Sequence, residues 1–345
     1  MTLRKFTFAI LSIMMIAMSC KKDDDTTETF VERDRQEVYN ENIVEIEEYL
    51  ATHFYNYEAF DFDNEYSLAN DDFEIVFDTI DESNSDKIAL IDDPRLDYKT
   101  ITKSGVDYKL YFLKVREGLG DTLHPLDAAS TLYNGTTPDG ESFDSAVTVG
   151  DGQPFNLTTV GLQGGVVTGF REGLIEFKTS DNFTDNTDGT TIYHNHGIGA
   201  VFIPSGLGYF SSSPSSAIPA YSPIFFRFSL ISRSNTDYDL DGVPSNIEDL
   251  DGDGDGINDN TDGDSLVNFI DNDDDGDGVL TRDEVVKLDY NYGTLVEAEA
   301  HILNSDEILI SIVAENDGTF TVNIVQLVDS NSDGTPDYLD SNAAN

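Results

Sequence analysis

Lysine, arginine and cysteine are scarce in this chain. Lys and Arg together number 19 against 67 Asp and Glu, which gives a formal net charge of −48 at pH 7. A surface this acidic repels phosphate, so the composition excludes binding to nucleic acid through the bulk surface and favours divalent cations as ligands. Cys20 is the only cysteine, which excludes a disulfide within the chain. The apolar run FAILSIMMIAM is too short for a comfortable transmembrane helix.

The amino end has the pattern of a secretory signal. Arg4 and Lys5 precede the apolar run, and a small residue stands before Cys20. Residues 1–19 are therefore predicted to be a signal peptide. Cys20 resembles the lipidation site of bacterial lipoproteins, and a free thiol behind a failed anchor is the alternative.

The residues after Cys20 are polar and charged. KKDDD, at residues 21–25, resembles the signal that sends lipoproteins of some Gram-negative groups to the cell surface. The resemblance implies an outer-membrane lipoprotein that is exposed at the cell surface, with a periplasm-facing position as the alternative. Residues 20–32 are predicted to be a lipidated tether, because they hold too few apolar groups to form a core. The lipid anchor would be the only contact with the membrane.

Residues 33–105 are predicted to form a helix and a strand that extend the next domain. Apolar residues at spacings of three and four between Arg33 and Phe54 predict a helix with one apolar face. Its opposite face is acidic, which favours packing on a protein domain over lying on a membrane. DFEIVFDTI alternates apolar and polar residues and predicts a strand, whereas residues 81–98 are polar and are predicted to be a loop.

Apolar and aromatic residues are densest between residues 106 and 234. VDYKLYFLKV and IFFRFSLI predict strands near the two ends, and TGFREGLIEF predicts a short helix with Thr168 as its N-cap. Many strands with one helix indicate an α+β domain, in which the helix covers one face of an antiparallel sheet.

Six motifs follow one another over residues 111–230. They are VREGLGDTLHPLDAASTLYNG, TPDGESFDSA, QPFNL, GGVVTGFREGL, IPSGLGYF and AIPAYSPIFFRFSL. In this order they resemble the FKBP-type peptidyl-prolyl isomerases. The resemblance implies an FKBP-like antiparallel sheet wrapped on one short helix. In this chain the helical spacer precedes that domain, and the loop-rich acidic residues 235–345 follow it. It also implies these site residues: Tyr133, Phe143, Asp144, Phe155, Val166, Val167, Phe170, Tyr209, Ile218 and Phe226.

The implied site would turn X-Pro bonds without a cofactor. Rotation about a peptide bond costs roughly 18–20 kcal/mol because resonance gives the bond double-bond character, and only X-Pro bonds have comparable cis and trans populations. A dry aromatic bowl favours the twisted amide, whose carbonyl is less well solvated by water than that of the planar form. By the same resemblance, Tyr209 and the Ile218 region position the substrate carbonyls, while Asp144, held by Tyr133, faces the twisting amide. The implied partners are X-Pro-containing exported or unfolded polypeptides.

The chain departs from that family at several points. Phe170 stands where the family prototype has tryptophan, and Phe210 follows Tyr209 where glycine is usual. Residues 179–199 are longer than the usual link between the helix and the next strand. His194 and His196 in this insert are spaced for a metal ion, but no third ligand accompanies them, and incidental surface histidines are the alternative.

Asp, Asn and Gly dominate the sequence after Ser234. An EF-hand-like loop places oxygen ligands at positions 1, 3, 5, 9 and 12, a backbone carbonyl at 7 and glycine at 6. Five stretches fit this spacing, with Ser265 in place of the glycine in the third. The predicted ligands are Asp237, Asp239, Asp241, Val243 and Glu248 in the first loop, Asp251, Asp253, Asp255, Ile257, Asp259 and Asp262 in the second, Asn260, Asp262, Asp264, Asn268 and Asp271 in the third, Asp273, Asp275, Asp277, Val279 and Glu284 in the fourth, and Asp329, Asn331, Asp333, Thr335, Asp337 and Asp340 in the fifth.

The residues at position 7 are largely apolar, as expected where only the carbonyl binds the metal and the side chain is buried. Without flanking helices, the tandem loops resemble thrombospondin type 3 repeats, which implies a rod with structural calcium and shared ligands. The segment without metal is expected to be loose and to fold on binding, and a solvated acidic tail is the alternative. EILISIVA and FTVNIVQLV flank ENDGT and predict a hairpin at residues 308–328, inserted within the acidic residues 235–345.

The sequence therefore leaves two functions open. The first is prolyl isomerisation, in the service of protein folding, by a lipid-anchored and calcium-stabilised protein of the cell envelope. The second is an FKBP-like peptide-binding or adhesion module that is catalytically weak or inactive and stands on a calcium-dependent stalk.

Overall fold

The computed structural model describes residues 31–150, 153–158 and 165–343. The predicted signal peptide, the Cys20 lipidation site and nearly all of the predicted tether lie outside the described residues. From Asp34 onward the chain forms one unit, distinct from residues 1–33. Within the described residues, no helix is both long enough and apolar enough to cross a membrane. The fold is mixed, with antiparallel sheets and few helices.

An extension of one helix and two short strands precedes the main sheet. Helix α1, Arg35–Thr52, is capped by Asp34, whose side chain accepts a hydrogen bond from the Glu37 amide at 2.9 Å. Strands β1, His53–Tyr55, and β2, Phe77–Thr79, pair with each other. The strand predicted over residues 72–80 is shorter than expected, because Phe73 and Ile75 bury their side chains without joining a strand ladder.

The main sheet contains seven antiparallel strands. In chain order its elements are β3 Leu96–Lys103, β4 Val106–Arg116, β5 Ala128–Thr136, β6 Ser142–Ala146, β7 Phe155–Asn156, helix α2 Thr168–Leu174, β10 Gly197–Ile203 and β11 Ile224–Ser234, with a separate hairpin, β8 Asn182–Asp185 and β9 Thr191–His194, before β10. The strand order is β3-β4-β10-β11-β5-β6, and β7 pairs with β5. Two expectations need correction, because β3 begins inside the predicted loop 81–98 and the expected boundary at residues 105 and 106 falls in the β3–β4 turn.

Both faces of this sheet are covered. On one face Phe170 and Leu174 of α2 belong to the same core as Val201 and Ile203 of β10. On the other face the extension packs against the residues that alternate with these, including Phe202. Alternate residues of one strand thus fill two cores, as the two-residue period of a strand requires. The sheet is a central layer between α2 and the extension.

A second sheet follows the acidic loops. It is built from β12 Val285–Tyr292, β13 Glu307–Ala314 and β14 Phe320–Leu327, in the order β12-β14-β13, with short helices α3 Thr281–Glu284 and α4 Leu295–Glu299. The predicted hairpin is present as β13 and β14, and Gly318 adopts the positive φ of its turn. The third strand was not predicted, because β12 is mostly exposed and lacks an apolar alternation.

The acidic segment does not form the expected rod. Tyr338, from the fifth loop, is buried in one cluster with Val243 of the first loop and with Val285 and Val325 of the second sheet. The sheet lies between the fourth and fifth loops in sequence, and it brings the carboxyl end back to the first loop. The expected arrangement of loops in a line is therefore wrong for the described residues.

Candidate functional site

Aromatic rings converge where α2 faces the middle of the main sheet. Phe170 of α2 stacks on Phe226 of β11 with centroids 4.4 Å apart and planes 25° apart. Phe143 of β6 meets Phe226 edge-on at 5.5 Å, and Phe155 of β7 lies 6.1 Å from Phe170. Tyr133 of β5 has its ring 5.9 Å from those of both Phe170 and Phe226. The structure thus brings together five of the six predicted aromatic residues, one from each of five motifs.

Gly135 is required by the close approach of these rings. A Cβ atom at this position would lie 2.7 Å from atoms of both the Phe143 and Phe226 rings. Any larger residue would push the two rings apart, because real carbon atoms do not approach so closely. The Tyr-x-Gly motif therefore has a packing reason in this chain.

The polar part of the site is the pair Tyr133 and Asp144. The Tyr133 hydroxyl donates a hydrogen bond to Asp144 Oδ2 at 2.8 Å. Burial, together with this bond, raises the pKa of Tyr133, and burial and the charge of Asp144 raise the pKa of Tyr209. The predicted contact of Tyr133 with Asp144 is present. Asp144 is exposed, however, so the expectation of a buried acid is wrong.

Val166, Val167, Tyr209 and Ile218 complete the described part of the site. Ile218 is buried in the same core as Phe170, and the other three are half-buried and pack against it. Val167, rather than Thr168, is the N-cap residue of α2, and it makes no side-chain capping bond. Thr168 is the first helical residue and accepts a hydrogen bond from Lys103 Nζ at 2.7 Å, so its predicted capping role is wrong.

The loop that carries Tyr209 and Ile218 is fastened by helix α1. Asn42 Oδ1 accepts a hydrogen bond from the Ser205 amide at 2.8 Å, and its Nδ2 donates to the Tyr221 carbonyl at 2.9 Å. Asn42 was not predicted from the sequence. Its position could have been found from the helical spacing, because Asn42 is a polar residue on the face that also carries Val38, Ile46 and Leu50.

A buried polar cluster occupies the predicted histidine site. His194 Nδ1 lies 2.7 Å from Asp71 Oδ2, and Asp71 Oδ1 lies 3.0 Å from Arg116 Nη1. The Arg116 side chain is fully buried. His196 is buried, and its Nδ1 lies 3.2 Å from the Tyr193 carbonyl. Among the described residues, neither histidine belongs to a group arranged to hold a metal. They are not incidental surface residues either, since they join the insert to the extension and to β4.

The acidic loops bring carboxylates together in groups of three. Within each group one oxygen per residue lies within 4.8 Å of the others, and the groups are Asp237, Asp239 and Asp241; Asp241, Glu248 and Asp274; Asp249, Asp251 and Asp259; Asp262, Asp264 and Asp271; and Asp273, Asp275 and Asp277. Only oxygen donors are present, which is the donor set of a hard cation such as calcium. The residues of the first four loops therefore fit calcium.

These groups differ from the predicted loops in several places. Asp249, which is not among the predicted ligands, joins Asp251 and Asp259, whereas Asp253 and Asp255 do not belong to this group. No carboxylate of the fifth loop belongs to a group within the described residues. The position-7 side chain is buried at Val243, but Ile257 is 52% exposed and Leu266 41% exposed. Burial of that side chain is thus a property of the first loop and not of all five.

The second acidic loop contacts the main domain. His124 Nε2 lies 2.8 Å from Asp249 Oδ2, and this contact holds the pKa of Asp249 below its usual value despite burial. A Cβ atom at Gly256 would lie 2.8 Å from Leu126, which shows how closely the loop backbone packs there. The acidic segment is therefore built against the loop that precedes β5.

Comparisons with known proteins give one family match and several similar structures. Residues 238–309 match a family model described as BamM C-terminal. A peptidyl-prolyl cis-trans isomerase from Pseudomonas syringae pv. tomato is 20% identical with a TM-score of 0.30, over 41% of this chain and 83% of that one. FkpA from Escherichia coli is 26% identical (TM-score 0.28), over 39% of this chain and 51% of that one, and the three FKBP domains of wheat FKBP73 are 18% identical (TM-score 0.28), over 36% and 46%. The chain thus spans about half the length of FkpA and of the wheat protein. A sequence search of curated proteins finds no match.

Proposed function

We propose that this protein is an FKBP-type peptidyl-prolyl cis-trans isomerase. The observation that carries the proposal is the bowl of Tyr133, Phe143, Phe155, Phe170 and Phe226, with Tyr133 hydrogen-bonded to Asp144 at its edge. Such a bowl offers a proline ring an apolar surface and surrounds the amide with few water molecules. A twisted amide, which has lost its resonance, is favoured there over the planar form.

The half-exposed residues at the rim supply the contacts to the substrate chain. Tyr209 lies beside Asp144, whose charge acts on its hydroxyl, and Phe143 is half-buried on edge strand β6. The Tyr209 hydroxyl is a donor for a substrate carbonyl, and Ile218 stands on the same loop. The substrates are X-Pro bonds in exported or unfolded polypeptides, and no cofactor takes part in the rotation.

The experiment is a prolyl-isomerisation assay with the full chain and a proline-containing peptide. Uncatalysed isomerisation takes tens to hundreds of seconds at 25 °C, so acceleration is measured directly. Phe143→Ala and Asp144→Ala should lower kcat/KM and leave the fold intact, since neither side chain is buried. Phe183→Ala, which removes an exposed ring from strand β8 outside the bowl, is the matched control. No acceleration, or equal rates in all four proteins, would refute the enzymatic function.

The same experiment distinguishes the alternative, a peptide-binding module without catalysis. If the chain binds a proline-containing peptide and Phe143→Ala weakens that binding while no isomerisation occurs, the bowl serves recognition alone. The exposure of Asp144 is the observation that favours this alternative, because an exposed carboxylate leaves the site open to water.

Calcium and a lipid anchor complete the proposal. The grouped carboxylates of residues 237–277 are proposed to bind structural calcium, because each group presents converging oxygen atoms. Calcium titration of the full chain, followed by circular dichroism, tests this, and an unchanged spectrum at millimolar calcium contradicts it. Cys20 is proposed to carry the lipid that holds the protein at the outer membrane. Labelling cells that express the protein with a radioactive fatty acid tests the lipid anchor, because the parent should take up label and Cys20→Ser should not.

A further inference from the structure

Three carboxylates from two different loops share one buried space. Glu248 ends the first loop and is 0% exposed, and Asp241 of the same loop is 1% exposed. Asp274 belongs to the fourth loop and is 2% exposed. One oxygen from each of the three lies within 4.8 Å of the other two.

Turns in the backbone account for some of the oxygen atoms in this space and leave the others unpaired. Asp241 Oδ1 accepts from the Val243 amide at 2.7 Å, and Asp274 Oδ2 accepts from the Thr281 hydroxyl at 2.7 Å. Among the described residues, both oxygens of Glu248, Oδ2 of Asp241 and Oδ1 of Asp274 are buried without a hydrogen-bond partner. Asp237 Oδ1 and Asp239 Oδ2, beside Asp241, are in the same condition.

Six unpaired carboxylate oxygens therefore surround one region, and calcium takes six to eight oxygen ligands. Burying a charged group without a partner costs several kcal/mol, so the arrangement needs a compensating charge. Lys287 is a cation near these residues, and its ammonium lies over Gly242. One ammonium does not balance five carboxylates.

Tyr338 packs beside the first loop. Its side chain is buried in one cluster with Val243, which stands two residues after Asp241.

We propose that Asp274 is a ligand of the first loop's metal ion, so that one calcium ion is held jointly by the first and fourth loops. This inference rests on the proposal that the acidic segment binds calcium, and it replaces one ion per loop with a bridging ion. Asp274 stands at the second position of the fourth loop, which has no ligand role in that loop. Its neighbours Asp273, Asp275 and Asp277 form a group of their own, so adjacent side chains of one backbone stretch serve two ions.

The first experiment is calorimetric titration of the EGTA-stripped full chain with CaCl2, and with MgCl2 in a parallel series. Asp274→Asn keeps the shape of the side chain and its contact with Thr281 but removes the charge. We expect it to weaken the tightest class of calcium sites by about tenfold or more, because affinity follows the number of charged ligands. Asp283→Asn is the matched control, because Asp283 is an exposed residue of the same loop outside every group.

Terbium luminescence gives an independent reading. The chain contains no tryptophan, so tyrosine is its only strong sensitiser, and Tyr338 is buried against Val243, two residues from the proposed ligand Asp241. Excitation of tyrosine should sensitise terbium luminescence in the parent. Tyr338→Phe and Asp274→Asn should both reduce this luminescence, whereas Asp283→Asn should not.

The two proposals fail in different ways. If the parent binds calcium and Glu248→Gln loses the tightest site while Asp274→Asn titrates like the parent, the ion belongs to the first loop alone and the bridge is refuted. If the parent binds no calcium, the calcium proposal itself fails. Should Asp274→Asn not fold, hydrogen exchange on the unmodified chain decides, since a shared ion must protect residues 239–248 and 271–281 with the same calcium midpoint. Two different midpoints overturn the bridge.

Discussion

Asn42 connects the amino-terminal helix to the proposed catalytic loop, and its removal should be felt at the site. Its side chain is 3% exposed and makes two hydrogen bonds, one from the Ser205 amide and one to the Tyr221 carbonyl. These two residues bracket the loop that carries Tyr209 and Ile218. Asn42→Ala removes both bonds and leaves the buried Ser205 amide without its acceptor.

The magnitude follows from these contacts. Each hydrogen bond contributes about 0.5–1.5 kcal/mol net, and a buried amide without a partner costs about 1–3 kcal/mol. The free energy of unfolding should therefore fall by about 2–4 kcal/mol. Because the loop loses its attachment at both ends, we also expect KM for a proline-containing peptide to rise.

Urea unfolding at fixed calcium and the isomerisation assay measure the two effects. Asn40→Ala is the control, because Asn40 is exposed on the same helix and its amide oxygen accepts from Gln36. A loss of less than about 1 kcal/mol, or an unchanged KM beside a real loss of stability, would refute the reasoning.

Other predictions concern the cores on either side of the sheet. Asp71→Asn leaves the buried Arg116 guanidinium without its charged partner and should lower the free energy of unfolding by about 3–5 kcal/mol in urea; a loss near zero would contradict the assignment. Burial lowers the pKa of His196 to about 4, below its unfolded value of about 6.5, so the unfolded chain takes up the proton first. The stability that comes from burying neutral His196 is therefore present above pH 6.5 and is lost as the pH falls toward 4. At saturating calcium, the urea midpoint of His196→Gln should fall less over this pH range than the midpoint of the parent. Gly206→Ala would place a Cβ 2.3 Å from the Tyr108 hydroxyl, and a thermal melt should show a loss of about 1–3 kcal/mol.

The aromatic bowl was predictable from sequence, and its surroundings were not. Phe143, Phe170 and Phe226 stand in motifs whose resemblance to those of FKBP-type isomerases implies one site. The spacing of residues within a helix does not show which distant loop the helix contacts. The contact of Asn42 with the loop that bears Tyr209 was therefore not predicted. The expected burial of Asp144 failed for a related reason, because an edge strand leaves its side chain open to solvent.

The acidic segment shows the same limit. Spacing within a loop predicted which carboxylates of the first, third and fourth loops lie together, because neighbouring positions are fixed by the local turn. In the second loop the same spacing named Asp253 and Asp255, whereas Asp249 joins the group. Asp274 was missed, since its contact with Glu248 depends on how the fourth loop packs against the first. Strand β12 was missed because its polar, exposed side chains give no alternation, and its place is fixed by pairing with β14.

The packing of Tyr338 on Val243 closes the acidic segment on itself. The first loop therefore acquires its final surroundings only when the carboxyl end of the chain has been synthesised. A premature stop or a proteolytic cut after Leu327 would remove the tyrosine and expose the first loop's core, far away in sequence. Damage to the carboxyl end should thus first loosen the first loop, where the acidic segment joins the main domain.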